Sequence, residues 1–181
     1  MKDLALHMMD IVQNSVSAGA GQIDIAVSED TTANTFLLTV TDNGCGMTDQ
    51  VLARVTDPYY TTRTTRKVGM GIPLLKQNAE QAGGWLHIES EPGKGTTLKT
   101  MLVHDHIDRP ALGDLAGVIS LLISANETIR FTYEHKRDEN IFELDTKEIS
   151  EVLDGVSVSE PEVTRFIREM IRENLTAIHA I

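Results

Sequence analysis

The chain predicts an α+β fold, and three observations carry that prediction. Helix-period apolar patterns recur at its start, middle and end; pairs of alternating, strand-like segments lie between them; and Gly, Pro, Asn and Asp mark the boundaries. Its 181 residues suffice for one ordinary domain, or for a domain of about 100 residues with a smaller appendage. Hydrophobic residues at 41% and charged residues at 24% are ordinary globular values, so a core can form.

Residues 4–18 carry Leu4, Met8, Ile11, Val12 and Ser15 on one helical stripe, and Gly19 and Gly21 end that helix. The alternating runs 22–28 and 36–42, separated by the turn-rich "EDTTAN", predict a hairpin. Thr48 stands where a cap would open a short helix reaching about residue 55. The following "TDPYYTTRTTRKVG" shows neither period, as a functional lid would. A helix over about 70–82 tolerates Pro73 in its first turn and ends at Gly83 and Gly84. "WLHIESE" and "GTTLKTMLV" flank Pro92-Gly93-Lys94-Gly95 and predict a second hairpin. Beyond His104 the pattern restarts, with an apolar helix at 111–125, strand-like "TIRFTYEH" and "NIFELD", a short helix near 146–154, and a helix opened by Ser159-Glu160-Pro161 that runs to Ala177. The expected division is a domain over 1–103 and an α/β extension over 104–181, separate from the first or packed on it.

The net charge of -11 argues against a nucleic-acid partner, because phosphate neutralisation needs clustered Lys and Arg. Locally the balance reverses. Between residues 54 and 76 stand Arg54, Arg63, Arg66, Lys67 and Lys76 against the single acid Asp57, which suits an anion site. The acidic run from Asp138 to Glu162 fits a solvated face. Asp3, His7 and Asp10 interrupt any export signal, and "LAGVISLLI" is too short to span a bilayer, so a cytoplasmic protein without a membrane partner is expected. The single cysteine, Cys45, excludes an intrachain disulfide and any multi-cysteine metal site.

Asp3, His7, Asp10, Asn14 and Ser17 fall in line opposite the apolar stripe of the first helix. A solvated polar face explains most such stripes. Asn14 argues for more, because its side-chain carbonyl suits a hard cation, and Asp10 one turn earlier could orient or deprotonate a water or hydroxyl. "TDNGCGM" leaves the end of a predicted strand. Asp-Asn-Gly is a good tight turn, yet Asp42 could also accept from an exocyclic amine such as that of adenine, with the glycines letting backbone approach. Gly69-Met70-Gly71 decides nothing alone.

"DIVQNSVSAGA", "DNGCGM", "KVGMGI" and "GKGTT" stand in this order within about 100 residues, and together they resemble the four nucleotide-binding boxes of the GHKL ATPase superfamily of histidine-kinase catalytic domains, mismatch-repair ATPases, type II topoisomerase ATPase domains and heat-shock chaperones. "DPYYTTR" is similar to the aromatic box of histidine kinases. The resemblance covers residues 3–103. It implies an ATP site in an α/β sandwich, with helices on one face of a mixed, mainly antiparallel sheet. By position it implies that Asn14 coordinates magnesium, Asp10 stands at the place of a glutamate base, and Asp42 binds the adenine amino group, supported by Gly44, Gly46, Met47 and Thr96. Gly69, Met70, Gly71 and Ile72 would close on the phosphates, with Arg63, Arg66 and Lys67 as charge partners and Tyr59 and Tyr60 stacking on adenine, holding the lid or packing on the core.

Asp10 is one methylene shorter than glutamate, which argues against vigorous hydrolysis. Ser17 stands where relatives often carry aspartate. His104, Asp105, His106 and Asp108 fit a polar connection better than a metal site, and Cys45 a small pocket-lining residue. The resemblance implies a histidine-kinase-like ATP-binding protein. With the first box within ten residues of Met1, no phosphoacceptor helix is expected before it, so phosphate would pass to a partner protein. The alternative is an ATP-dependent conformational switch with little or no catalysis. Either allows a homodimer.

Overall fold

The computed structural model describes residues 3–57 and 70–181, in the order α1 (Leu4–Ser17), β1 (Gln22–Asp30), β2 (Thr35–Asp42), α2 (Asp49–Leu52), α3 (Gly71–Gln81), β3 (Trp85–Glu91), β4 (Gly95–Val103), α4 (Leu115–Ala125), β5 (Arg130–Arg137), β6 (Asn140–Asp145), α5 (Thr146–Leu153) and α6 (Pro161–Ala177). Both expected hairpins form, β1 with β2 and β3 with β4. Among the described residues the strands make one six-stranded sheet in the order β3-β4-β2-β1-β5-β6. Every neighbouring pair is antiparallel except β1 and β5, so the sheet is mixed and mainly antiparallel.

Strand alternation decides which face is buried. Ile23, Ile25 and Val27 of β1, Phe36, Leu38 and Val40 of β2, Leu98 and Leu102 of β4, and Phe131 and Tyr133 of β5 share the inward face. They pack with Leu4, Met8, Ile11 and Val12 of α1, Leu75 and Ala79 of α3, Ile119 and Leu122 of α4, and Ile167 and Ile171 of α6 in one core. Burying each large apolar side chain contributes about 1.5–3 kcal/mol, so this seam dominates the stability of the helix layer. Two acids continue the inward phase. Glu29 follows Ile23, Ile25 and Val27, and Asp42 follows Phe36, Leu38 and Val40.

Asp3 opens α1, its Oδ1 accepting the Leu6 N–H at 2.9 Å. α4 begins at Leu115, four residues beyond the periodic start. Residues 111 and 112 instead accept, through their carbonyls, the N–H groups of Leu4 and Ala5, and Asp114 caps the helix through Gly117 N–H. α2 is a single turn. β5 and β6 continue the sheet beyond residue 104, with β1 paired to β5 from Gln22 to Glu29. Among the described residues no helix is long and apolar enough to cross a membrane.

Candidate functional site

The carboxy-terminal half of α1, the end of β2 and the start of α3 enclose a cavity of about 460 Å³, within the range of small-molecule sites. Ile11 of α1, Ala18 just after that helix, Val40 of β2, Val51 of α2, Val55, Ile72 of α3, Ile88 of β3 and Leu98 of β4 give it mostly apolar walls. Its polar groups are few and converge from different elements.

Asp42 stands at the floor, 8% exposed. Its Oδ2 accepts from Ser15 Oγ at 2.6 Å, and its Oδ1 accepts from Gly44 N–H at 2.9 Å. A carboxylate oxygen has two lone pairs, so each retains acceptor capacity on the cavity side. Across the β2–β4 ladder the residue opposite Asp42 is Thr96. Ser90 Oγ donates to the Gly95 carbonyl and accepts from Met47 N–H, at 2.9 and 2.8 Å. The 2.9 Å contact between Ser90 and Thr96 hydroxyls must therefore use the Thr96 proton, which leaves Thr96 an acceptor towards the cavity.

The turn after β2 is held in place by backbone and side-chain bonds together. Asn43 Oδ1 accepts from Gly21 and Gln22 N–H, both at 2.9 Å, and Cys45 N–H donates to the Ala18 carbonyl. Gly46 has φ +66°, and a Cβ there would lie 2.1 Å from the Glu91 carbonyl oxygen, so only glycine fits.

Asp10 and Asn14 line the cavity one helical turn apart. The Asp10 carboxylate rests on the start of α3: a Cβ on Gly71 would come within 2.2 Å of Asp10 Oδ2. The polar stripe of α1 is not a solvated face. His7 is fully buried and meets Asn78 of α3, Asp3 caps the helix, and Ser17 alone of the five is exposed, donating to the Gln13 carbonyl.

Of the residues expected at the site, Asp10, Asn14, Asp42, Gly46, Met47, Gly71, Ile72 and Thr96 surround the cavity. Gly44 lies beneath it, bonded to Asp42. Met70 is the half-exposed residue preceding α3 and does not line it. Tyr60, Arg63, Lys67 and Gly69 lie outside the described residues, as do Tyr59 and Arg66. Sequence reasoning missed Ser15, Ser90 and the apolar walls. Ser15 did leave a signal, as the one hydroxyl on an otherwise apolar stripe. Cys45 lines the cavity, while His104 bonds to Glu29 and Asp105 to Asn34, away from it.

Residues 2–106 match the family described as histidine kinase-, DNA gyrase B- and HSP90-like ATPase. Sporulation kinase B of Bacillus subtilis is 31% identical over 101 residues, covering 54% of this chain and 23% of the kinase. A sensor histidine kinase of the same organism is 34% identical over 107 residues, covering 54% and 32%. The chain thus matches less than a third of the length of these relatives. Solved structures extend the likeness in fold. The N-terminal domain of a DNA repair protein superposes with a TM-score of 0.59 at 18% identity, covering 80% of this chain and 52% of that one. The Aquifex aeolicus MutL ATPase domain complexed with ADP gives 0.52 at 15%, covering 85% and 70%. Helices over one face of a mixed sheet, a cavity at the end of β2 and a family match over more than half its length lead to one conclusion: the chain belongs to the histidine kinase-, DNA gyrase B- and HSP90-like ATPase family.

Proposed function

We propose that this protein binds magnesium-ATP in the cavity beside α1 and transfers the terminal phosphoryl group to a partner protein in the cytoplasm. Asp42 carries the reading: a buried carboxylate with unused acceptor capacity at the floor of an apolar cavity. An exocyclic amine donates to such a group, whereas the carbonyl of guanine would oppose it with lone pairs, so adenine is favoured. The apolar walls suit the faces of a purine.

At the other end of the cavity the side-chain donors are oxygens, from Asn14 and Asp10, which fits magnesium better than a softer metal. Bound there, magnesium would offset charge on the transferring group. Asn14 would hold the ion through its carbonyl oxygen. Asp10 would orient an incoming hydroxyl, and Gly71, without a side chain, leaves room for that carboxylate against the helix start. The names of the relatives, a sporulation kinase and a sensor histidine kinase, support phosphotransfer over simple hydrolysis.

Purified protein incubated with γ-labelled ATP and magnesium, with and without cell extract, tests this. Label appearing on a second protein supports the kinase reading. Tight magnesium-dependent binding with the label left on ATP turns the assignment to a conformational switch. Absence of magnesium-dependent ATP binding overturns both, and unchanged affinity in Asn14→Ala removes the metal role of that residue.

A further inference from the structure

His7 has no part in the cavity, yet it is fully buried, and the only hydrogen bond of its ring among the described residues crosses from α1 to α3. Nε2 lies 2.8 Å from Asn78 Nδ2, while Nδ1 is buried with no hydrogen-bond partner among the described residues. As bonded, the imidazole accepts the amide N–H at Nε2 and carries its own proton on Nδ1. Such a ring is a costly choice between two helices, where leucine would pack without an orphan polar atom.

The spacing gives the contact a consequence. His7 and Asp10 are three residues apart, and Asn14 is seven from His7, so all three share one face of α1. Gly71 and Asn78, seven apart, likewise share one face of α3. The helices therefore meet along a seam in which His7 faces Asn78 and Asp10 faces Gly71, with Asn14 beyond the start of α3. Sliding α3 along α1 would move the start of α3 against both Asp10 and Asn14. A directional hydrogen bond resists sliding far better than apolar packing does.

We propose that His7 is a positioning residue of the nucleotide site: its bond to Asn78 holds α3 in register with α1, and so holds the start of α3 at Gly71 in place against Asp10 and Asn14. The neutral ring does this. A charged ring needs an acceptor at both nitrogens; Nδ1 meets none, and Nε2 would first require the Asn78 amide to turn over. Burial lowers the pKa of His7 below the ordinary histidine value, helped by the amino-terminal charge and opposed by Asp10 and Asp3. On the facing helix the charged side chains are Lys76 and Glu80, paired with each other at the surface, and α4 on the other side has none between Leu115 and Ala125.

The inference rests on the nucleotide reading, and wild-type binding is therefore measured first: no magnesium-ATP binding at neutral pH overturns that reading and this one together. With binding established, calorimetric titration at pH 7.5 should give His7→Phe and Asn78→Ala affinities reduced about fivefold, the range one directional hydrogen bond commands. His7→Gln, whose amide can still meet Asn78, should recover most of the loss. Circular dichroism identifies variants that fail to fold; if His7→Phe does, Asn78→Ala and its comparison with His7→Gln decide. Folded His7→Phe and Asn78→Ala variants that bind as the wild type does, or a folded His7→Gln that binds no better than His7→Phe, overturn the proposal.

Discussion

Two acids on neighbouring strands, each continuing the inward phase of its strand, meet opposite fates. Glu29 stands one residue before the end of β1 and is 3% exposed, with both oxygens occupied by protein: His135 Nε2 on Oε1 and His104 Nε2 on Oε2, each at 2.8 Å. The Tyr133 hydroxyl, which burial keeps protonated, lies 2.7 Å from His135 Nδ1, and the other ring nitrogen, Nε2, donates to Glu29. Arg137 stands 4.0 Å away and also donates to the His179 carbonyl. This end of the sheet is a closed brace joining β1, β5 and the segment after β4. Asp42 ends β2 with two donors from the protein and a cavity in front of it. Burial and charge are similar at the two positions. What separates a brace from a site is whether the chain itself uses up the acid's hydrogen-bonding capacity.

Substitution at the two acids should separate stability from binding. Glu29→Ala leaves two imidazoles without their acceptor, and should lower unfolding free energy by about 3–5 kcal/mol in urea titration. Magnesium-ATP affinity of the folded protein should stay within about twofold, since the sites are far apart and share no partner. Asp42→Asn should do the reverse. An amide group facing a donor costs about 100-fold in nucleotide affinity by calorimetry, with stability changed by about 1 kcal/mol. Loss of ATP affinity in Glu29→Ala comparable to that in Asp42→Asn would abolish the distinction.

Acid titration sharpens the same comparison. Burial raises the Glu29 carboxyl, but hydrogen bonds from His135 and His104, followed by the charges of His135 and Arg137, outweigh it and leave it below its ordinary value of 4.5. The unfolded chain therefore binds this proton more readily than the folded one. The stabilisation is complete above pH 4.5 and is lost as pH falls from there through the folded value. Urea midpoints from pH 6 to 3 should fall more steeply for wild type than for Glu29→Gln.

Local signals made the two hairpins, α1, α3 and α6 legible, because alternation, helical spacing and glycine stops act within a few residues. Pairing of β2 with β4, and of β1 with β5 in parallel, was not legible. Those ladders join segments far apart in the chain, and no local pattern distinguishes them from other antiparallel arrangements. The start of α4 was misplaced because the apolar run extends to residue 111, where tertiary hydrogen bonds to α1 override helical periodicity. At the cavity, Asp10, Asn14, Asp42 and Thr96 stood out by residue type, and glycines by backbone need. His7 and Glu29 did not. One lay on a stripe that suggested solvent, the other at the edge of "EDTTAN", and only the packed partners Asn78, His104 and His135 give either a role.

Ser15 is the finest test, because it was counted with the apolar stripe of α1 and belongs instead to the floor of the cavity. Its hydroxyl is buried and directs its only proton to Asp42 Oδ2, so it presents the carboxylate to a ligand without competing for that ligand's N–H. Ser15→Ala keeps the helix and nearly the same volume, since alanine is the better helix former. It removes one charge-assisted donor, and Asp42 keeps Gly44. Magnesium-ATP affinity should fall about fivefold, well short of Asp42→Asn, with the melting temperature nearly unchanged. Ser15→Val, which is bulkier and projects a methyl group at the carboxylate, should fall further. Wild-type affinity in Ser15→Ala would mean that the donor is irrelevant and that Asp42 is oriented by Gly44 and its strand alone.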